Sequence, residues 1–321
     1  MKKFLIITLT LLIVALVGTG MYAYSLLNTI PRTSLTDTTP EDLGISESAP
    51  DEKDTGVVNV LLFGLDRRSA SEKRSRSDSI MIATVDKKNQ KLKLTSLMRD
   101  MYVSIPGKQD HKLNSAYAFG GPALAIKTVN SNFDLDIKRY AAVDFFALER
   151  IIDVLGGVDI ELKNEEVKFL NSALNELNNL DKSGNKSPHV TNGGLQTLDG
   201  KQAVAYCRIR YAGRDDFERT ERQRRVLSQL FDKVSDMNIT DANKLTSAIL
   251  PNVETNMTNT EMITLGTSVL GFKDKTIYQY RIPVDGTFTS ETVKKMSVLM
   301  PDLPANKKLL HEFIYESNGN N

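Results

Sequence analysis

Four groups of residues in this chain have the chemistry to bind and act on an anion. Asp66 closes the run "FGLD" and Asp78 the run "RSD". Arg99 and Asp100 sit together in "LMRD", and the charged loop between the two isolated acids, "RRSASEKRSRS", supplies Arg67 and Arg76. The fourth group is "AYCRIRYAGRDDFERTERQRR", Ala205–Arg225, which packs seven arginines into twenty-one residues. Two carboxylates held close together repel unless a proton or a cation lies between them. With no histidine or cysteine beside Asp66 or Asp78, an all-oxygen site suits Mg²⁺, with Mn²⁺ as the alternative. Mg²⁺ needs only one or two carboxylates and completes its shell with water and phosphate oxygens. Planar guanidinium groups grip phosphate oxygens two at a time, which lysine cannot do. The competing reading is plain: acids at strand ends form local turns, and arginines on a helix face water.

On position alone the competing reading leads, because acids at strand ends are common; the arginine-rich stretch and the elements around it shift that balance. The runs "VVNVLLFGL", "SIMIATVD" and "KLKLTSLM" are apolar and β-branched and predict three strands. As an antiparallel meander they bring Asp66, Asp78, Arg99 and Asp100 to one edge of a sheet. Further strands are expected at "RYAAVD", "GVDIEL", "AYCRIRY" and "TIYQYRIP". Helical patterns run through "GGPALAIKTVNSNF", "FFALERIIDVLGG", "NEEVKFLNSALNEL", "RTERQRRVLSQLFDKVSDM", "DANKLTSAIL" and "NTEMITLGTSVLGF". Asn178–Gly194 reads as a surface loop. Strands interleaved with helices predict a single layered α/β/α domain around a central mixed sheet.

If "AYCRIRY" is extended, Arg208 and Arg210 share a face opposite Cys207, Ile209 and Tyr211. In the helix that follows, Val226, Leu227, Leu230 and Val234 make the inward stripe, and Arg219 and Gln223 fall on it. Arg224 and Arg225 fall outside it, on the face expected to meet water. A buried arginine and glutamine need partners, and the helix N-terminus adds free N–H groups suited to an anion. Asp216 stands beside this cluster, as a candidate general base or as the group that orients Arg210 or Arg219.

Bulk properties narrow the classes. A net charge of +1 argues against a general polyanion binder, and one cysteine, Cys207, excludes an intrachain disulfide framework. Between Lys3 and Arg32 no charged residue occurs, and this apolar stretch is long enough to cross a bilayer. Lysines precede it and acids follow it, which predicts a cytoplasmic N-terminus and an extracellular bulk. Residues 1–31 therefore read as a cytoplasmic tip and signal-anchor helix, 32–56 as a flexible acidic linker, and 57–321 as one extracellular domain. A domain outside the cell is not expected to meet nucleic acid.

The ordered motifs "LLFGLD", "RSDSIMIATVD", "LTSLMRDMYVSIPG", "HKLNSAYAFGG", "LDGKQAVAYCRIRY" and "DDFERTERQR" resemble the LytR-CpsA-Psr family across Val58 to Phe231. The resemblance implies a cell-membrane phosphotransferase. Its donor would be an anionic glycopolymer, of teichoic acid or capsular polysaccharide type, on an undecaprenyl-pyrophosphate carrier, and its acceptor peptidoglycan. It implies that Asp66 and Asp78 hold Mg²⁺, and that Arg99, Arg208, Arg210 and Arg219 clamp the diphosphate together with Gln223. Arg67 and Arg76 become further contacts, and Arg99 and Asp216 the catalytic pair. It also implies an apolar tunnel for the prenyl chain, for which Phe145, Phe146 and Ile152 are candidates. The chain departs from the family pattern twice: Met98 replaces the proline before Arg99, and Glu218 replaces the glycine before Arg219. A Glu218 turned inward would add negative charge to the anion pocket. The same residues admit water as the attacking group, giving a pyrophosphatase, or a non-catalytic prenyl-lipid binder. The arginine-rich helix alone would suit a membrane-bound transcriptional regulator, which the outward topology opposes. A cysteine engineered into 32–56 should react with a membrane-impermeant thiol reagent on intact cells, and labelling only after lysis would exclude a wall-facing enzyme.

Overall fold

Antiparallel pairing of the first three apolar runs organises the molecule. A computed structural model describes residues 32, 35, 39–67, 75–181, 184–209, 216–235 and 253–316. The elements begin with α1 (Glu52–Thr55), β1 (Val57–Leu65), β2 (Ser77–Asp86), β3 (Lys91–Leu97), β4 (Tyr102–Val103) and β5 (His111–Lys112). They continue with α2 (Ser115–Phe133), β6 (Arg139–Asp144), α3 (Phe145–Val154), β7 (Val158–Leu162), α4 (Asn164–Leu180), β8 (Gly194–Leu198) and α5 (Gly200–Arg208). The last are α6 (Asp216–Ser235), β9 (Val253–Thr255), α7 (Asn259–Gly271), β10 (Ile277–Ile282), β11 (Phe288–Val293), β12 (Met296–Pro301) and α8 (Leu303–Tyr315). The expected membrane helix, Arg210, Arg214 and the expected helix "DANKLTSAIL" lie outside the described residues. Among the described residues, no helix is long and apolar enough to cross a membrane.

Among the described residues, six strands form the central sheet in the order β10-β3-β2-β1-β6-β9. The β1–β2–β3 meander is antiparallel, whereas β6 runs parallel to β1 and β10 parallel to β3, so the sheet is mixed. Alternation sorts its side chains. Leu61, Phe63, Ile80 and Ile82 point to one face, where Ile126 and Val129 of α2 and Leu310 and Ile314 of α8 cover them. Each such fully buried aliphatic side chain contributes roughly 1.5–3 kcal/mol. Val58, Val60 and Val85 point to the other face, under Phe272 and α7. Part of the stretch expected as a tether packs on the α2 side: Leu43 is buried in that core, and its carbonyl accepts from Asn130 Nδ2 at 2.8 Å.

A second apolar core lies beside the sheet. The β7–β8 hairpin brings Ile160, Leu162 and Leu198 against Leu170 and Leu174 of α4 and Val204 of α5. Here the structure differs from the expectation for "AYCRIRY". Its residues Ala205–Arg208 are not a strand but the end of helix α5, Ile209 caps that helix, and Arg210 and Tyr211 lie outside the described residues. Asp199 and Gln202 form a reciprocal capping box, with Asp199 Oδ1 accepting from the Gln202 N–H at 2.8 Å and Gln202 Oε1 from the Asp199 N–H at 3.0 Å. Ala203 to Cys207 are all buried, so no alternating polar face exists to support an extended reading. The inward stripe of α6 holds at Val226 and Leu230 but has ended by Val234, which is 40% exposed.

Helix α6 is bolted to α4 by a buried ion pair. Arg222 Nε donates to Glu166 Oε1 at 2.8 Å, and Nη1 donates to the Ile209 carbonyl at 3.3 Å. Both side chains are only 3% exposed. Removing one partner of such a pair strands the other charge, at a cost of about 3–5 kcal/mol. Arg222→Met should lose that much in urea unfolding, and adding Glu166→Gln should restore most of it. A single variant as stable as the parent would exclude this role.

Candidate active site

The end of β1 at Leu65 pairs with the start of β2 at Ser77 across a register shift after Gly64, and the Asp66 N–H donates to the Arg76 carbonyl at 3.4 Å. Asp66 and Asp78 thus leave neighbouring strand ends. Arg99 follows β3 and reaches across: its Nη1 donates to Asp78 Oδ1 at 2.6 Å. Its Nε and Nη2 donate to the two carboxylate oxygens of Asp216 at 3.0 and 3.4 Å. Asp216 begins α6, and one turn later Arg219, 2% exposed, donates from Nη2 to the Asp78 carbonyl at 3.1 Å. Arg219 Nη1 also lies 3.4 Å from Asp216 Oδ1. Asp100 Oδ1 accepts from Lys112 Nζ at 2.8 Å. The meander edge and the first turn of α6 therefore form one charged cluster.

Electrostatics divides the carboxyls. Burial opposes the Arg99 charge, but Asp78, Asp216 and Asp100 outweigh it and hold the guanidinium above its ordinary pKa. Burial would raise Asp216, yet Arg219, a hydrogen bond from Asp100, and Arg99 bring it below the ordinary carboxylate range. Asp100 moves the other way, raised by burial and by Asp216. Asp216 is the anion of the pair, and Asp100 the carboxyl that takes a proton more readily.

Beside the cluster an apolar cavity of about 290 Å³ opens between the sheet and α3, α5 and α6. Its sheet side is built from small residues, Gly64, Ser79 and Ala141, and its helical side includes Phe145, Ile151, Leu227 and Leu230. A side chain at position 64 would meet Ser79 Cβ at 2.9 Å, so glycine keeps this floor low. Ser79 follows Asp78 in sequence, and Gln223 lies one turn beyond Arg219 on α6. The Gln223 Oε1 is buried in this lining without a hydrogen-bond partner.

The remaining sequence candidates fall in different places. Of the tunnel candidates, Phe145 lines the cavity, Ile152 is fully buried in the second core, and Phe146 is not among the lining residues. Arg208 stacks over Phe145 at 5.1 Å and pairs with Glu176 at 3.2 Å, apart from the Arg99 group. Arg67 is bound to Glu254, beside β6 on β9, at 3.2 Å. Arg76 is exposed. Arg224 is not simply solvated: it donates to Ser96 Oγ at 2.8 Å and to Gln279 Oε1 at 3.2 Å, and burial pushes its pKa down. Arg225 likewise donates to the Tyr206 hydroxyl at 2.7 Å. Lys112, which neutralises Asp100, escaped notice because a two-residue strand leaves no periodic signal.

Both departures from the family pattern find a local explanation. The Met98 N–H donates to the Ile282 carbonyl at 2.8 Å, a bond that proline could not make. Glu218 turns to Arg222, with its Oε2 accepting from Nη2 at 2.7 Å.

The LytR_cpsA_psr family model matches residues 22–312. The chain belongs to the LytR-CpsA-Psr family. Among relatives in this family, "Polyisoprenyl-teichoic acid--peptidoglycan teichoic acid transferase TagU" of Bacillus anthracis is 33% identical over 292 residues, covering 89% of each chain. "Regulatory protein MsrR" of Staphylococcus aureus is 31% identical over 268 residues, covering 82% of this chain and 76% of that one. A solved structure of TagT bound to LI-WTA superposes with a TM-score of 0.66 at 26% identity, over 88% of this chain and 99% of that one. The family member YwtF (TagT), solved with bound octaprenyl pyrophosphate lipid, gives 0.62 at 25% identity over the same shares. These LytR-CpsA-Psr structures share the α/β fold with its central mixed sheet. The Glu218–Arg222 contact is partly exposed, so Glu218→Gly should cost only about 1 kcal/mol in thermal unfolding and leave activity near the parent's. A several-fold rise in activity would instead show that Glu218 weakens the anion pocket.

Proposed function

We propose that this protein transfers an anionic glycopolymer from a polyprenyl-pyrophosphate carrier, of undecaprenyl type, to peptidoglycan. One observation carries the reading: the Arg99–Arg219 cluster sits beside an apolar cavity of about 290 Å³, so a charged head site adjoins a slot for lipid. Such a pairing fits an amphiphile with a diphosphate head. The name of the B. anthracis relative, and the octaprenyl pyrophosphate lipid named in a TagT structure, support the same substrate class. The apolar N-terminal segment would anchor the chain in the cell membrane with its N-terminus inside and its catalytic domain outside.

The reaction joins a peptidoglycan hydroxyl oxygen to the glycan-side phosphorus and breaks the bond from that phosphorus to the bridging oxygen. Prenyl phosphate leaves with the electron pair. Arg99 and Arg219 neutralise charge on the phosphoryl and leaving oxygens, with Gln223 offering its amide at the cavity wall. Asp216 stays ionised and fixes both guanidinium groups, whereas Asp100, its pKa raised, receives the hydroxyl proton in its ionised form, which Lys112 Nζ holds at 2.8 Å. Asp66 and Asp78 would hold Mg²⁺. Among the described residues, no group of three or more His, Cys, Asp or Glu side chains could hold a metal alone, and Mg²⁺ ordinarily completes its shell with phosphate oxygens and water. When bound, the ion would add positive charge against the diphosphate.

The regulator reading loses its main support here. Arg219 and Arg222 are buried and matched to protein oxygens, so α6 does not present them to nucleic acid. Labelled polymer on prenyl pyrophosphate should appear on peptidoglycan oligomers with Mg²⁺ and not with chelator. Arg99→Ala should slow that transfer by about 10²–10³-fold without loss of fold. Release of free polymer phosphate with no transfer would establish a hydrolase instead.

A further inference from the structure

A second surface leads away from Asp100, and nothing in the reaction above uses it. Helix α2 is interrupted after its first turn, with Gly120 at φ −151° and Gly121 at φ 65°, before Pro122 restarts it. Gly121 needs its left-handed φ, and a Cβ on Gly120 would strike Leu124 at 2.6 Å. The break leaves Phe119 on the surface, 46% exposed, with its ring 5.4 Å from that of His111 in an edge-on contact. The His111 Nδ1 is buried and has no hydrogen-bond partner.

Cations surround this ring pair. The neighbour of His111, Lys112, is the residue that holds Asp100. The β11–β12 hairpin is tied to the same place, because the Leu299 N–H donates to the Asp100 carbonyl at 3.0 Å. Its tip is made of Lys294 and Lys295, both exposed, with φ of 48° and 68°. A two-residue hairpin turn in this conformation ordinarily takes Asn-Gly or Gly-Gly, so two lysines here are held at some local cost. Lys294 Nζ donates to Gln109 Oε1 at 2.9 Å, which folds the tip over the loop leading to His111. Arg76 lies on the same side: burial, then Arg76, Lys112 and Lys294 lower the His111 pKa. The acids in these segments are Asp110, exposed, and Glu291, which accepts from Thr289 Oγ1 at 2.8 Å.

We propose that Phe119 and His111, flanked by Arg76, Lys294 and Lys295, form a subsite for a sugar-phosphate repeat of the donor polymer, beyond its diphosphate. This rests on the function proposed above and adds the part of the polymer that is recognised. An exposed aromatic face takes the C–H side of a sugar ring, and the cations take the phosphodiester beside it. A peptidoglycan strand has no phosphodiester in its repeat, so the cations select the polymer over the acceptor. Being exposed, the contacts are screened by salt.

The test is direct binding of a glycerol-phosphate oligomer, a neutral dextran oligomer and a peptidoglycan oligomer to the full-length protein at low and high salt. Phe119→Ala, and the double variant Lys294→Glu with Lys295→Glu, should each bind the glycerol-phosphate oligomer about five-fold or more weakly than the parent at low salt. Their thermal unfolding and their affinity for prenyl pyrophosphate should be unchanged. Transfer from a donor with a full polymer should fall relative to one carrying only its first sugars. Parent-like oligomer binding in both variants overturns the proposal. So does a loss confined to the peptidoglycan oligomer, or one equal for dextran. If the parent transfers neither donor yet the variants lose oligomer binding, the function falls and the subsite stands.

Discussion

A guanidinium group taken out of water must be met by oxygen atoms, and α6 carries two of them inside the protein. An unmatched buried charge costs several kcal/mol, comparable to the whole stability of a domain. The pairing of Arg219 and Arg222 is therefore the condition under which the rest can assemble. Arg222 is satisfied by Glu166, Glu218 and the Ile209 carbonyl, which fixes α6 against α4 and the end of α5. Arg219 is held through its two Nη atoms by the Asp78 carbonyl and by Asp216, which fixes the start of the same helix against the sheet edge. Arg99 completes the joint by bridging Asp78 and Asp216. One helix thus docks at its two buried arginines, three residues apart, on opposite neighbours.

What was legible in the sequence follows from which forces are local. The meander could be read because strand alternation and turn residues act over a few positions, and it carried Asp66, Asp78, Arg99 and Asp100 to one edge. The inward placement of Arg219 and Gln223 could be read from helical repeat alone. The run "AYCRIRY" could not, because a short apolar segment looks alike as a buried helix or strand. Its state is decided by the capping box at Asp199 and by burial on every side. Nor could the fate of Arg224 and Arg225 be read from α6 itself. Their partners, Ser96, Gln279 and Tyr206, come from β3, β10 and α5, far along the chain. Glu218 resembles a fault in the pocket until Arg222, one turn on, is seen to hold it.

The cavity is a further consequence of two cores rather than one. Helices α3, α5 and α6 bury their apolar faces partly in the second core, against the β7–β8 hairpin and α4. Their position is set there, and they need not settle onto the sheet. Where they stand over β1, β2 and β6 the sheet offers Gly64, Ser79 and Ala141, which are too small to fill the gap. In a single core such a void would tend to collapse, since lost packing costs several kcal/mol for cavities of this size. An apolar void of this kind also repels water, because a buried water needs two to four polar partners. The polar side chains of the lining are Gln223, Ser79, Cys207 and Asp144, and Asp144 Oδ1 already accepts from the Ala147 N–H at 2.8 Å. The arrangement holds open, next to a cluster of fixed charges, a space that apolar chain fills better than water does. Rigidity on the helical side and small residues on the sheet side are both required, so a bulky side chain at Ala141 would close the slot without disturbing Arg99, Asp78 or Asp216. The charge site and the lipid slot are thus mechanically separable, although α6 contributes to both.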